Sequence, residues 1–127
     1  MSMKKLKMSL LTLVFALLVP SSTFASGWDY LGHETLYSKG AESHQYPSTG
    51  GDYKICRDSS VGPDKIMKVE LWEYDLDNWN DWVGTRYLEP GECGVFREIG
   101  DTVDGGDEAE FFAKSGTSGH IHLYFYD

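Results

Sequence analysis

Between Glu73 and Gly84 the chain reads Glu-Tyr-Asp-Leu-Asp-Asn-Trp-Asn-Asp-Trp-Val-Gly, directly after a run of strand-forming residues. Glu73, Asp75, Asp77 and Asp81 put four carboxylates into nine positions. Negative groups this close repel one another unless water separates them or a cation sits between them. Hard oxygen ligands at such density suit Ca2+. Asp52, Asp101 and Asp104 lie on other turns and are the expected additional ligands. An EF-hand is the poorer reading. Trp79 takes its third ligand position, no glycine stands at the sixth, and no glutamate closes the loop. Trp79 near the loop apex and Trp82 just beyond it are the expected interaction residues, fit for a lipid interface, a sugar ring or a protein surface.

Other chemistry is thinner. His120 and His122 have the spacing of a transition-metal pair on one strand face, although an outward strand face explains them as well. Loop carboxylates could serve acid–base hydrolysis, but that needs two of them in distinct environments within a cleft, which a sandwich of about a hundred residues rarely builds. The sequence holds no serine elbow, phosphate loop or HExxH motif. No catalytic residue is expected, and the protein is not read as an enzyme.

These residues need elements to position them. Residues 1–25 read as a secretory signal peptide. Lys4, Lys5 and Lys7 precede an apolar core from Met8 to Val19, Pro20 breaks it, and Thr23-Phe24-Ala25 offers a cleavage site. That core is too short to span a bilayer, and no second apolar run is present, so no transmembrane segment is expected. Residues 26–127 read as a single all-β domain, a small antiparallel β-sandwich of about seven strands. Turn signals such as Pro47-Ser48-Thr49-Gly50-Gly51 and Ser115-Gly116-Thr117-Ser118-Gly119 separate short runs rich in aromatic and β-branched residues. Strands are expected near 28–37, 52–57, 66–74, 82–88, 94–99, 108–114 and 120–126. In the third, Met67, Val69 and Leu71 alternate with Lys68, Glu70 and Trp72. In the last, Ile121, Leu123 and Phe125 face inward and His120, His122, Tyr124 and Tyr126 outward. Cys56 and Cys93 are the only cysteines, and in an exported chain they read as one disulfide. With strands running alternately up and down, loops 38–51, 75–81 and 100–107 share one pole, carrying Glu42 with most of the aspartates. The cysteines meet at the other pole. Trp72, Tyr124 and Tyr126 form one outward aromatic patch if their strands are neighbours.

The run Glu73-Tyr74-Asp75, then Leu76 to Asn80, then Asp81-Trp82-Val83-Gly84 resembles the third calcium loop of C2 domains. Gly51-Asp52-Tyr53-Lys54-Ile55 resembles the segment after their first calcium loop. The resemblance implies a Ca2+-binding β-sandwich with Glu73, Asp75, Asp81 and Asp52 at ligand positions. Asp77 is added by the local chemistry alone.

All 20 acidic residues lie in 26–127, while three of the 11 basic ones leave with the signal, so the exported charge is 8 − 20 = −12. That charge argues against nucleic acid and against unaided binding to anionic lipid. The expectation is a secreted, extracellular protein of bacterial export type. It is read as a monomeric binding module whose acidic pole binds Ca2+ and recognises a lipid, carbohydrate or protein surface. The alternatives are a secreted effector, such as a small toxin or enzyme inhibitor, whose acidic loops bind no metal, and a small hydrolase.

Overall fold

The computed structural model describes residues 27–99 and 109–127. The expected signal peptide, with its boundary at residue 25, and the loop holding Asp101 and Asp104 lie outside the described residues. Eight strands follow in order: β1 (Tyr30–Leu36), β2 (Tyr46–Ser48), β3 (Tyr53–Arg57), β4 (Met67–Glu73), β5 (Asp81–Leu88), β6 (Cys93–Phe96), β7 (Ala109–Ser115) and β8 (Ile121–Tyr126). They form two four-stranded sheets in the orders β1-β8-β3-β6 and β2-β7-β4-β5. Every pairing is antiparallel. First pairs with last, second with seventh, third with sixth and fourth with fifth. The chain is thus one long antiparallel ribbon wrapped upon itself, the topology of a jelly roll. No helix among the described residues is long and apolar enough to cross a membrane.

Period-two alternation builds the interior. Met67, Val69 and Leu71 are fully buried, while Lys68, Glu70 and Trp72 are half-buried on the other face. Ile121, Leu123 and Phe125 meet them from the opposite sheet, with Tyr53, Ile55 and Phe111 between. Each edge of the sandwich has its own clasp. On one side Arg86 of β5 donates to Val95 O from Nε and Nη2 and lies over the Phe96 ring. On the other, Tyr46 of β2 stacks on Phe125 at 4.1 Å and donates from its hydroxyl to Glu34 of β1.

The Cys56–Cys93 disulfide forms as expected, between directly paired residues of β3 and β6. It lies at the pole where Arg57 gathers the turns 58–66 and 89–92, since its guanidinium reaches Pro63 O, Lys65 O and Leu88 O. The opposite pole holds the β4–β5 hairpin and residues 49–52, where Ile99 N–H donates to Gly51 O.

Three expectations need correction. Strand β2 divides the loop 38–51, so residues 40–48 climb alongside β7 and only 49–52 reach the acidic pole. Glu42 consequently sits beside Lys114 rather than with the aspartates. Trp72 stands on the sheet opposite Tyr124 and Tyr126, so the three form no common patch.

Candidate functional site

The β4–β5 hairpin is shaped from within by its own polar side chains. Asp77 N–H donates to Asp75 Oδ1 at 3.1 Å, and Asp75 N–H donates to Asn80 Oδ1 at 3.0 Å. These local bonds close the loop without burying an apolar anchor. Its apolar residues therefore point outward: Leu76 is 81% exposed, Trp79 93% and Trp82 56%.

Below the tip the outer face of the second sheet is aromatic. A register shift between Leu71 and Trp72 adds a residue on the β5 side, and Trp72 then pairs with Trp82 on one neighbour and Phe112 on the other. Such a bulge increases local twist and re-aims the side chains beyond it. Trp82 Nε1 donates to the hydroxyl of Thr85 on its own strand at 3.1 Å. Lys114 Nζ lies 5.8 Å from the Trp72 ring centre. Trp79 and Asn80 overhang this ledge. With Glu42, Trp72, Phe112 and Lys114 they line a groove of about 190 Å³. Trp72 Nε1 is shielded from solvent and has no hydrogen-bond partner.

The sequence-expected ligands are dispersed. Asp75, Asp77 and Asp81 lie on the hairpin and its first β5 position, outside the core. Glu73 does not join them. At the end of β4 it takes the inward phase of the alternation and is 3% exposed. Asp52 is occupied by Arg97 Nη1 at 2.6 Å and by the Glu98 backbone N–H at 3.1 Å. The Glu98 N–H, and then the Arg97 guanidinium, hold its carboxyl below the ordinary range. Asp101 and Asp104 lie outside the described residues. Among the described residues no group of three or more His, Cys, Asp or Glu is arranged to hold a metal ion. A hollow of about 680 Å³ also lies at this pole beside Trp28, Asp52, Arg97 and Asp127. Its Asp52 is bound to Arg97, and its Asp127 accepts the Ser48 hydroxyl.

The outer face of the first sheet carries a cluster that alternation alone did not reveal. His122 meets His33 rather than His120, with His33 Nδ1 3.0 Å from His122 Nε2. His120 packs edge-on against Tyr37. Thr35 Oγ1 lies 2.5 Å from His122 Nδ1. Tyr124, tilted against the His33 ring and edge-on to His122, donates its hydroxyl to Asp58 Oδ2 at 2.9 Å. The Ser60 hydroxyl and N–H, joined by Tyr124, pull the Asp58 carboxyl down to about 2, and Asp58 in turn raises Tyr124. The available signal is outward alternation on β1 and just past its end, which presents His33, Thr35 and then Tyr37. What the sequence lacks is the β1–β8 register that sets Thr35 opposite His122 and His33 opposite Tyr124.

A family model described as "YndA coiled coil domain" matches residues 30–125. The described part of that span contains strands and no α-helix. The uncharacterized protein YndA of Bacillus subtilis (strain 168) is 39% identical over 105 residues, covering 81% of this chain and 76% of that protein. A crystal structure of PirA superposes with a TM-score of 0.49 at 11% identity, covering 83% of this chain and 100% of that one.

Proposed function

This chain belongs to the YndA coiled coil domain family, and we propose that it is an exported, non-catalytic binding module for a neutral carbohydrate surface. The observation that carries the reading is the groove between Trp79 and the Trp72–Phe112 ledge. Sugar rings present C–H faces that lie flat on indole rings, and hydroxyls that pair with carboxylate, amide and ammonium groups. Trp72 and Trp79 supply the first, and Glu42, Asn80 and Lys114 the second. The charge of 8 − 20 = −12 over residues 26–127 repels anionic polymers, which favours uncharged glycans. The disulfide supports export, because such bonds persist in oxidising compartments.

Ca2+ belongs to the same proposal as the cation that would quench repulsion among Asp75, Asp77 and Asp81 and stiffen the hairpin. The loop's resemblance to C2 calcium loops supports that role. Fixing the loop would fix Trp79 over the groove, so glycan binding would tighten with Ca2+. The test is affinity electrophoresis against soluble neutral polysaccharides, in millimolar Ca2+ and in chelator. Retardation by at least one of them, lost in Trp79→Ala and kept in Trp28→Ala, is expected. Absence of retardation by any of them, or retardation indifferent to Trp79→Ala, would sink the carbohydrate reading. Equal retardation with and without chelator would remove Ca2+ and leave the module.

A further inference from the structure

His33 on β1 and His122 on β8 face each other on the sheet opposite the groove, two ring nitrogens 3.0 Å apart. We propose that this pair binds a divalent transition-metal ion of tetragonal preference, Cu2+ or Ni2+, with water in the remaining positions.

Proton counting gives the first argument. Two bare lone pairs repel at this distance, and so do two imidazolium cations. The contact therefore holds one proton as N–H···N, which an ion set to one side of the N–N line would displace by taking both lone pairs. The second argument is orientation. When His122 gives its Nδ1 proton to Thr35 Oγ1, its Nε2 is left unprotonated beside His33 Nδ1 and free to ligate. A far-nitrogen bond of this kind accompanies ligating imidazoles and fixes their tautomer and ring angle. The supports are rigid, since Thr35 and His122 are direct partners on two paired strands, as are His33 and Tyr124.

Geometry selects the metal. Imidazole nitrogens bind at about 2.0–2.1 Å, so two of them 3.0 Å apart subtend roughly 90° at a shared ion. That is the cis angle of a square plane or octahedron, narrower than a tetrahedral site provides, and tetragonal nitrogen–oxygen sites favour Cu2+ and Ni2+. The surroundings favour a cation. Tyr124 stands edge-on to His122 and carries the Asp58 carboxylate on its hydroxyl. His120, which sequence spacing pairs with His122, is turned to Tyr37 and takes no part.

Untagged protein titrated with Cu2+ alone tests the proposal, by calorimetry and electron paramagnetic resonance. Expected are one bound ion per chain and a spectrum split by two nitrogens. His33→Ala and His122→Ala should each weaken binding at least about tenfold, and Thr35→Val, which leaves both ligands but frees the ring, by about tenfold. His120→Ala should bind like the parent. Were His122→Ala to melt early, the exposed His33→Ala would decide. Binding that survives the His33→Ala/His122→Ala double variant, as it would at the amino terminus, overturns the site. So does a spectrum without nitrogen splitting.

Discussion

Arg57 is 2% exposed, yet it carries a charge into the pole that holds the disulfide. Its guanidinium replaces water with the carbonyls of Pro63, Lys65 and Leu88, tying the turn after β3 to the end of β5. Charge-assisted bonds are strong, and buried carbonyls left without donors are costly. Arg57→Met fills a similar volume but abandons three acceptors, so a loss of about 3 kcal/mol is expected. Urea melts at unchanged m-value would read it. A loss under about 1 kcal/mol would show that water takes over those carbonyls. Asp58 makes a pH statement from the surface. Its pKa falls from 3.8 to about 2, by bonds from the Ser60 hydroxyl, the Ser60 N–H and Tyr124. A carboxyl depressed in the folded state stabilises above its unfolded pKa, and that contribution is lost as pH falls through the folded value. The window therefore runs from about pH 4 down to about pH 2. Asp58→Asn should flatten the fall of stability across that window in melts at stepped pH. A variant that loses stability there as steeply as the parent would clear Asp58 of the effect.

Among the elements, the legible strands were those whose alternation is unbroken. β4 and β8 show period two in every residue, and both lie inside a sheet where the pattern is enforced from two sides. β2 was illegible for a physical reason. It is three residues long, lies on an edge, and has Pro47 at its centre amid turn formers. Proline survives in a sheet only where its missing N–H is not needed, and β2 is such a place. Missing it misplaced Glu42, since an added strand reverses the chain once more. A dense acidic run reads as one loop, whereas its first carboxylate, Glu73, belongs to the strand phase. The Trp72–Phe112 ledge and the His33–His122 contact depend on cross-strand register, which local pattern does not encode. The hairpin's shape, by contrast, rests on local bonds and can be tested locally. Asn80→Ala deletes the acceptor for Asp75 N–H. Amide exchange at Asp75 should quicken severalfold while global stability changes by no more than about 0.5 kcal/mol. Unaltered exchange would mean that Asp75 N–H is protected by something other than Asn80.

At the scale of the whole molecule, the two sheets share one buried interior, and covalent closure adds to it at the pole away from the hairpin. A chain of this size buries a modest core, so restraint of the unfolded state matters in proportion. The Cys56–Cys93 bond encloses β4 and β5 within a separation of 37 residues. On the loop-entropy account such a closure contributes roughly 4 kcal/mol. It joins neighbours already paired in register, so the β3–β6 ladder does not depend on it for geometry. The Cys56→Ser/Cys93→Ser variant should consequently keep the parent's far-ultraviolet spectrum when cold. Its Tm should fall by roughly 20 °C, the shift that about 4 kcal/mol makes in a domain near a hundred residues. Removal should slow refolding if β3 and β6 already meet in the folding transition state, and speed unfolding if they meet only after it. A variant that melts within a few degrees of the parent would mean that the unfolded chain already holds β3 near β6.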